Sequence, residues 1–310
     1  MTHKERAICA LTGGTPDYVP TMELVFHLTE EIFGEDWYWP HQLQAATGAE
    51  RERMLRHNAA LYVRVAERFD YSIIMMNKAS GPEDLAALVK YIRELVGDQY
   101  LLMAHGDATY SVPDGNQIAE FIYWLYDHPE EGHAQAARQV EAALERGKYL
   151  LDQGLDGFIL CSDYCFNQGP FLPPAKFSEF VTPYLHRLIS TYREWGAWVI
   201  KHTDGNIMPI IEDLVSCEPH ALHSLDPMAG VDIGEVKARY GDRLCLIGNV
   251  DCSLLQTGTR EEMVHSAQYA LEKGKPGGGY IFGTSNCVFA GMPVESYLLI
   301  HDIWKRNRAY

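Results

Sequence analysis

The most informative stretch of this chain is Ala197-Trp198-Val199-Ile200-Lys201-His202-Thr203-Asp204-Gly205-Asn206. It begins as a short apolar run typical of a buried strand, and it passes directly into a histidine, a carboxylate and a glycine that permits the chain to reverse. If this strand is parallel and belongs to a closed α/β sheet, its carboxyl end faces the pocket that such folds use for chemistry. The pattern therefore predicts that the functional side chains follow the strands.

The same kind of apolar run recurs along the chain and alternates with longer helical patterns, as in repeated βα units. The predicted strands cover 19–25, 71–76, 100–104, 157–161, 198–201, 221–225, 244–248 and 280–283. The predicted helices cover 81–96, 129–153, 174–195, 207–216 and 260–273, and two more, at 28–33 and 49–69, precede the second strand. Eight strands predict a (β/α)8 TIM barrel with an N-terminal helical embellishment. The rival, an open doubly wound sheet, lacks a Gly-x-Gly-x-x-Gly turn after any strand.

The composition of the chain excludes several classes of protein. The chain has 310 residues, 47% of them hydrophobic, and shows no linker, so we expect a single domain over 1–310. A formal net charge of -16 disfavours nucleic acid as a partner. No apolar run is long enough for a membrane span and no signal peptide is visible, which predicts a cytoplasmic protein without a membrane partner. The seven cysteines are then expected to be reduced thiols.

Polar side chains occur at every predicted strand end, as a catalytic rim requires. They are Glu23, Asn77, His105, Asp107, Asp163, His202, Asp204, Asp226, Asn249, Asp251 and Cys287. Each also has a structural interpretation. Asp163 can form an Asx turn, Asp226 can form a turn with Pro227, and Asn249 and Asp251 can organise the turn into the next helix instead of contacting a cofactor.

A more specific set consists of His202, Asp204 and Cys287, which come from the fifth and eighth predicted strands. Nitrogen, oxygen and sulfur donors all bind zinc, and a catalytic zinc site has three protein ligands and an open position. Residues two apart at a strand end point to the same side, as shared ligation needs. The alternative is a helix-capping Asp204 beside a hydrogen-bonded His202, with Cys287 as a buried thiol.

The order of these groups resembles the uroporphyrinogen decarboxylase superfamily over most of the chain. The resemblance rests on Asp163 followed by Gly169-Pro170-Phe171-Leu172-Pro173-Pro174, on Lys201-His202-Thr203-Asp204-Gly205-Asn206, on Ser224-Leu225-Asp226 and on Ile247-Gly248-Asn249-Val250-Asp251. It implies a (β/α)8 barrel. It also leaves a choice between porphyrinogen decarboxylases and zinc-dependent methyltransferases that serve corrinoid proteins.

The chain departs from the true decarboxylases at two places. Their arginine-rich early motif is replaced here by Val19-Pro20-Thr21-Met22-Glu23-Leu24-Val25-Phe26-His27, where Glu23 would repel a polyanion. Their catalytic aspartate after the second strand aligns with Asn77, and an amide cannot supply the carboxylate that stabilises a protonated pyrrole. The resemblance therefore favours the methyltransferase branch, in which His202 and Cys287 match metal ligands and Asp204 replaces a cysteine.

The resemblance implies an enzyme that moves a methyl group between a small methylated substrate and the cobalt of a partner corrinoid protein. A carboxylate in place of a thiolate makes zinc a harder Lewis acid, suited to the oxygen of an aryl methyl ether. Zinc would be held by His202, Asp204 and Cys287, while Glu23, Asp163 and Asp226 would act as acid, orienting or supporting groups. The alternatives are a decarboxylase-like lyase for a tetrapyrrole or small carboxylic acid, and a corrinoid-binding module without catalysis.

Overall fold

The structure is a computed structural model that describes residues 1–115 and 117–310. Its strands are β1 (Val25–Phe26), β2 (Ile73–Met76), β3 (Leu101–His105), β4 (Gly157–Leu160), β5 (Cys165–Phe166), β6 (Gly169–Pro170), β7 (Trp198–His202), β8 (Ala221–His223), β9 (Cys245–Ile247), β10 (Tyr280–Ile281) and β11 (Cys287–Val288). Its α-helices are α1 (His3–Leu11), α2 (Thr29–Phe33), α3 (Pro40–Ala45), α4 (Gly48–Phe69), α5 (Pro82–Val96), α6 (Gln117–Asp127), α7 (Pro129–Asp152), α8 (Pro174–Phe180), α9 (Thr182–Glu194), α10 (Ile211–Ser216), α11 (Ile233–Tyr240), α12 (Cys252–Thr257), α13 (Arg260–Gly274) and α14 (Val294–Asn307). Short 3-10 helices cover Met208–Ile210 and Pro227–Ala229.

A parallel sheet with the strand order β10-β9-β8-β7-β4-β3-β2 forms the barrel wall. The gap between its two edges is filled by Thr21, which bridges in parallel to both Tyr71 and Phe282. The Ser72 amide donates to the Thr21 carbonyl at 2.8 Å, and the Met22 amide donates to the Phe282 carbonyl at 3.1 Å. The predicted (β/α)8 barrel is thus confirmed, and the open sheet is wrong.

The first barrel strand is shorter than the predicted 19–25. Pro20 has no amide hydrogen to give to a neighbouring strand, so regular pairing is limited to one position on that side. The chain then leaves the barrel wall, and Val25 pairs with Cys287 in the separate two-stranded ribbon of β1 and β11. This ribbon carries one of the predicted site residues.

Side-chain alternation fills the barrel interior with apolar residues. Those in one cluster are Met22, Leu24, Ile73, Met75, Leu101, Met103, Ile159, Ile200, Ala221, Cys245, Ile247 and Ile281, and Ala7, Ala10 and Leu11 of α1 join them. Because Ile200 and Ala221 face inward, His202 and His223 face inward as well, one layer closer to the carboxyl ends of the strands. The fold therefore places two imidazoles on the floor of the barrel mouth.

The N-terminal embellishment is also present, as α2, α3 and α4. The helix predicted over 174–195 is wrong in one respect, because it is two helices that meet at Val181. Pro183 lacks the amide hydrogen that a continuous helix would give to the Glu179 carbonyl, which accounts for the break. In the part of the chain that is described, no helix has both the length and the apolar character needed to cross a bilayer.

Candidate metal centre

Three donor side chains meet where β4 and β7 end. Asp163, His202 and Asp204 each offer an atom to a group in which all atoms lie within 4.8 Å of one another. The His202 Nε2 atom is 3.8 Å from Asp163 Oδ1 and 3.7 Å from Asp204 Oδ1. These separations are too long for hydrogen bonds. They are close to the spacing of about 3.4 Å expected for two donors that share one tetrahedral zinc ion.

His202 is held by a second histidine that our sequence analysis missed. His202 Nδ1 and His223 Nδ1 are 2.7 Å apart, and both side chains are buried. Burial lowers the pKa of His202 to about 4 and that of His223 well below its usual value, so both rings are neutral at neutral pH. One of the two Nδ1 atoms must then carry the shared proton. If His202 donates it, the Nε2 lone pair of His202 faces the two carboxylates and is free for a metal.

Asp204 is fixed from two further strand ends. The Ser224 hydroxyl, which follows β8, donates to Asp204 Oδ1 at 2.7 Å, and Asn286 Nδ2 donates to Asp204 Oδ2. Burial is the largest cause that raises the pKa of Asp204 to about 7, and the nearby Asp163 and Asp226 carboxylates contribute to the increase. The Asp204 amide in turn donates to Asp163 Oδ1 at 3.0 Å. Two carboxylates held face to face beside a neutral imidazole are a donor set that a divalent cation would stabilise, so the residues fit zinc.

Cys287 lies outside this three-residue group, in which Asp163 stands with His202 and Asp204. Ligation of a metal by His202, Asp204 and Cys287 together therefore stays a prediction. The pairing of β11 with β1 holds Cys287 on the ribbon at the edge of the mouth. The thiol is nevertheless a neighbour, because it donates to Asn286 Oδ1 at 2.9 Å and Asn286 contacts Asp204. Burial raises the pKa of Cys287 to about 12, and Asp204 contributes to the increase.

Glu23 is buried in the barrel wall beside the mouth, with 5% of its surface exposed. The Thr284 hydroxyl and the Tyr297 hydroxyl donate to its carboxyl group, the latter at 3.3 Å. Burial raises the pKa of Glu23 to about 8, although these hydrogen bonds oppose the shift. This position suits an orienting role for the loop that carries Asn286 and Cys287.

Asp226 accepts from the Gly205 amide at 3.1 Å and from the Met228 amide at 3.0 Å. Both bonds are to backbone, so Asp226 organises the turn that follows Asp204. Asp226 can therefore form the predicted turn and at the same time orient the chain beside Asp204.

Asn249 and Asp251 also bond to the local chain. Asn249 Nδ2 donates to the Leu225 carbonyl at 2.7 Å, and Asp251 accepts from the Ser253 amide at 2.9 Å at the start of α12. Both residues line a cavity of about 390 Å³ next to the turns after β8 and β9. Their contact with a cofactor stays a prediction.

The remaining strand-end residues have separate partners. Asp107 forms a fully buried ion pair with Lys201 Nζ at 2.8 Å, on the side of β7 opposite to His202. Asn77 accepts from Lys78 Nζ at 3.1 Å. His105 is exposed and lines a different cavity, of about 360 Å³, with Ser80 and Tyr192.

Besides His223, sequence reasoning missed Ser224, Asn286 and Lys78. A signal existed for His223, because it lies two residues after Ala221 in a predicted strand and therefore shares its inward face. Ser224 and Asn286 become visible only when the loops after β8 and β10 are placed beside β7.

The comparisons with known proteins agree with this architecture. The family model described as uroporphyrinogen decarboxylase (URO-D) matches residues 107–306, and the chain belongs to this family. Uroporphyrinogen decarboxylase from Thioalkalivibrio sulfidiphilus is 26% identical over 249 residues, which are 73% of this chain and 67% of the relative. The enzyme of the same name from Pseudoalteromonas translucida is 24% identical over 66% of this chain and 58% of its own length. The matches thus span only about three fifths to two thirds of these relatives.

Among solved structures, a methyltransferase from Methanosarcina mazei superposes with a TM-score of 0.78. The comparison covers 99% of both chains at 17% sequence identity. A B12-independent methionine synthase from Shewanella sp. W3-18-1 superposes with a TM-score of 0.56 at 12% identity, over 92% of this chain and 96% of that one. At these identities the likeness establishes the shared fold.

Proposed function

We propose that this protein is a methyltransferase that moves a methyl group between a small methylated substrate, an aryl methyl ether, and the cobalt of a partner corrinoid protein. The observation that carries the proposal is the convergence of Asp163, His202 and Asp204 at the barrel mouth. The similarity in fold to the Methanosarcina mazei methyltransferase supports it. We also propose that the whole chain forms one domain and acts in the cytoplasm.

Asp163, His202 and Asp204 would hold a zinc ion, with Cys287 as the additional donor that the sequence indicates. When bound, zinc supplies Lewis acidity that stabilises negative charge on the oxygen from which the methyl group departs. His223 orients His202 and fixes its tautomer, and Asp226 holds the turn that carries Asp204. Asn249 and Asp251 would contact the corrinoid of the partner from the rim.

Asp204 also offers a metal-free version of the same reaction. With its pKa raised to about 7, a substantial fraction of Asp204 carries a proton at neutral pH. As the oxygen–methyl bond breaks and the methyl carbon bonds to the acceptor, Asp204 would give that proton to the departing oxygen. Ser224 and Asn286 hold the carboxyl group in place for this transfer.

The family relationship favours one alternative, a carboxy-lyase that acts on a tetrapyrrole or a small carboxylic acid. A tetrapyrrole with several carboxylates needs several cations. At the mouth, the group formed by Asp163, His202 and Asp204 instead offers two carboxyl groups beside a neutral imidazole, and these would repel a polyanion. The site chemistry therefore supports methyl transfer better.

Methyl transfer from a panel of methyl ethers to reduced cobalamin, followed by the change in cobalamin absorption, tests the proposal. The purified protein is compared with His202→Ala and with His186→Ala, whose histidine is exposed on α9. We expect activity in the wild type and in His186→Ala, and a loss of at least about a hundredfold in His202→Ala with the fold retained. Uroporphyrinogen decarboxylation without methyl transfer would overturn the proposal.

A further inference from the structure

Lys78, two residues after the end of β2, is a buried cation that forms no ion pair with the described part of the chain. Only 4% of its surface is exposed. Its Nζ atom lies 2.9 Å from His27 Nε2 and 3.1 Å from Asn77 Oδ1. It also lies 4.5 Å from the centre of the Trp39 ring. In residues 1–115 and 117–310, no carboxylate oxygen is found within 4.0 Å of Lys78 Nζ, and the more distant Asp36 carboxylate only partly opposes the fall in the pKa of Lys78 that burial causes.

The other buried cations of the described chain are all neutralised. Lys201 is paired with Asp107 at 2.8 Å, and Arg6 is paired with Asp17 at 2.6 Å. A buried charge without a counter-ion is costly, which is why such groups are normally paired. Burial lowers the pKa of Lys78 only to about 8, so most molecules keep the charge at neutral pH. Burial also lowers the pKa of His27 to about 4, which leaves a neutral ring that accepts from the ammonium group.

The position of Lys78 connects this charge to the proposed reaction site. Its neighbours His27, Trp39 and Asn77 are only half-buried, so the ammonium group lies just beneath the protein surface. His27, which contacts Lys78 Nζ, also donates its amide to the Val288 carbonyl at 2.8 Å, and Val288 is the neighbour of Cys287 on the ribbon of β1 and β11. Cys287 in turn contacts Asn286, which contacts Asp204. A ligand at the metal centre would therefore have Lys78 on one side.

We propose that Lys78, with Trp39 and His27, is the subsite for an anionic group of the methyl donor, and that this donor is an aromatic methyl ether bearing a carboxylate. The proposal rests on the proposed function, because it names the substrate class of that same site. The Lys78 ammonium group would pair with the carboxylate. A single cation matches a monoanion better than a phosphate dianion. The Trp39 and His27 rings, whose centroids are 5.0 Å apart and whose planes meet at 66°, provide aromatic surface against which an aromatic ligand can pack edge to face.

Binding rather than turnover tests this subsite. Calorimetric titration of the wild type with para-methoxybenzoate and with its neutral analogue para-methoxybenzamide measures the preference for charge. We expect the benzoate to bind at least about tenfold more tightly, as a charge-assisted hydrogen bond allows. In Lys78→Met this preference should disappear, while the affinity for para-methoxybenzamide should stay within about twofold of the wild-type value. The control is Lys90→Met, which replaces a lysine with a side chain that is 68% exposed on α5 and should behave as the wild type.

Equal affinity of the wild type for the two ligands would overturn the subsite, and this outcome does not depend on how Lys78→Met folds. If a folded Lys78→Met variant still binds the benzoate more tightly than the benzamide, the subsite is also overturned. This holds whether or not that variant has lost its zinc. The two proposals fail separately. Selective benzoate binding without methyl transfer would refute only the function, and equal methyl transfer from charged and neutral ethers would refute only the subsite.

Discussion

His202 and His223 face each other through their Nδ1 atoms at 2.7 Å, and this contact determines which nitrogen of His202 is available to a metal. Nε2 of His223 has no hydrogen-bond partner within the described structure, although it is buried. A polar atom left unpaired in this way is costly, so we infer that the pair serves the orientation of His202 and not stability.

Replacing His223 by Phe should weaken zinc binding by about tenfold to a hundredfold, because removal of the partner of a metal-binding histidine releases its orientation and tautomer. Competition with a chelator of known affinity measures the change. The matched control is His301→Phe, another buried histidine, whose Nε2 contacts the carbonyl of Phe69 at the end of α4 at 2.9 Å. Unchanged zinc affinity in His223→Phe would show that the histidine pair has no role in ligation.

Replacing Asp163 by Asn should have opposite effects on the metal-free and the zinc-loaded protein. Asn keeps an oxygen for the Asp204 amide, which lies 3.0 Å away, but it removes the repulsion between the two carboxylates. The melting temperature in the presence of chelator should therefore rise, while the increase caused by added zinc should shrink or vanish. Thermal unfolding with and without zinc gives both values. A variant that is stabilised by zinc as strongly as the wild type would remove Asp163 from the ligand set.

Glu23 should make the stability of the protein depend on pH. Its pKa is raised from 4.5 to about 8 on folding, so the unfolded chain ionises first as pH rises. The free energy of unfolding of the wild type should therefore fall relative to Glu23→Gln between pH 4.5 and 8, and the difference should be constant above that range. The total change is at most about 5 kcal/mol. Urea unfolding across this range checks it, and a difference that is flat or rises with pH contradicts the assignment.

The Lys201 and Asp107 pair should be a stability element beneath the site. Both side chains are fully buried, and the Lys201 ammonium group holds the pKa of Asp107 well below its usual range. Lys201→Met should cost about 3–5 kcal/mol, because it leaves a buried carboxylate without a partner. The double variant Lys201→Met with Asp107→Asn should recover part of that loss. Urea unfolding measures the free energy of unfolding of each variant. If the double variant loses the sum of the losses of the two single substitutions, the two residues are not coupled.

The barrel was predictable because its evidence is local. Apolar strand patterns alternate with helices, and His202 and Asp204 follow one strand directly, so their proximity needs no knowledge of distant contacts. The ends of helices depend on local chemistry too. The break at Val181 was nevertheless not predicted, because Pro183 stands inside an otherwise regular helical pattern.

The residue that joins His202 and Asp204 in the three-residue group was not predictable in the same way. Asp163 and Cys287 both follow strands, and the choice between them depends on the pairing of Val25 with Cys287, which joins segments at opposite ends of the chain. Lys78 was missed for a similar reason. Its charge becomes notable only when the fold shows that it is buried and forms no ion pair with any residue that the structure describes.

Zinc-edge X-ray absorption of the zinc-loaded wild type tests the central claim most directly, because it counts and identifies the atoms bound to the metal. The structure predicts a shell dominated by nitrogen and oxygen at about 2.0–2.2 Å, with at most one sulfur at about 2.3 Å. His202→Ala should lose the metal, and His301→Phe should keep the wild-type spectrum. Two or more sulfur ligands, or an unchanged spectrum in His202→Ala, would contradict a centre built from Asp163, His202 and Asp204.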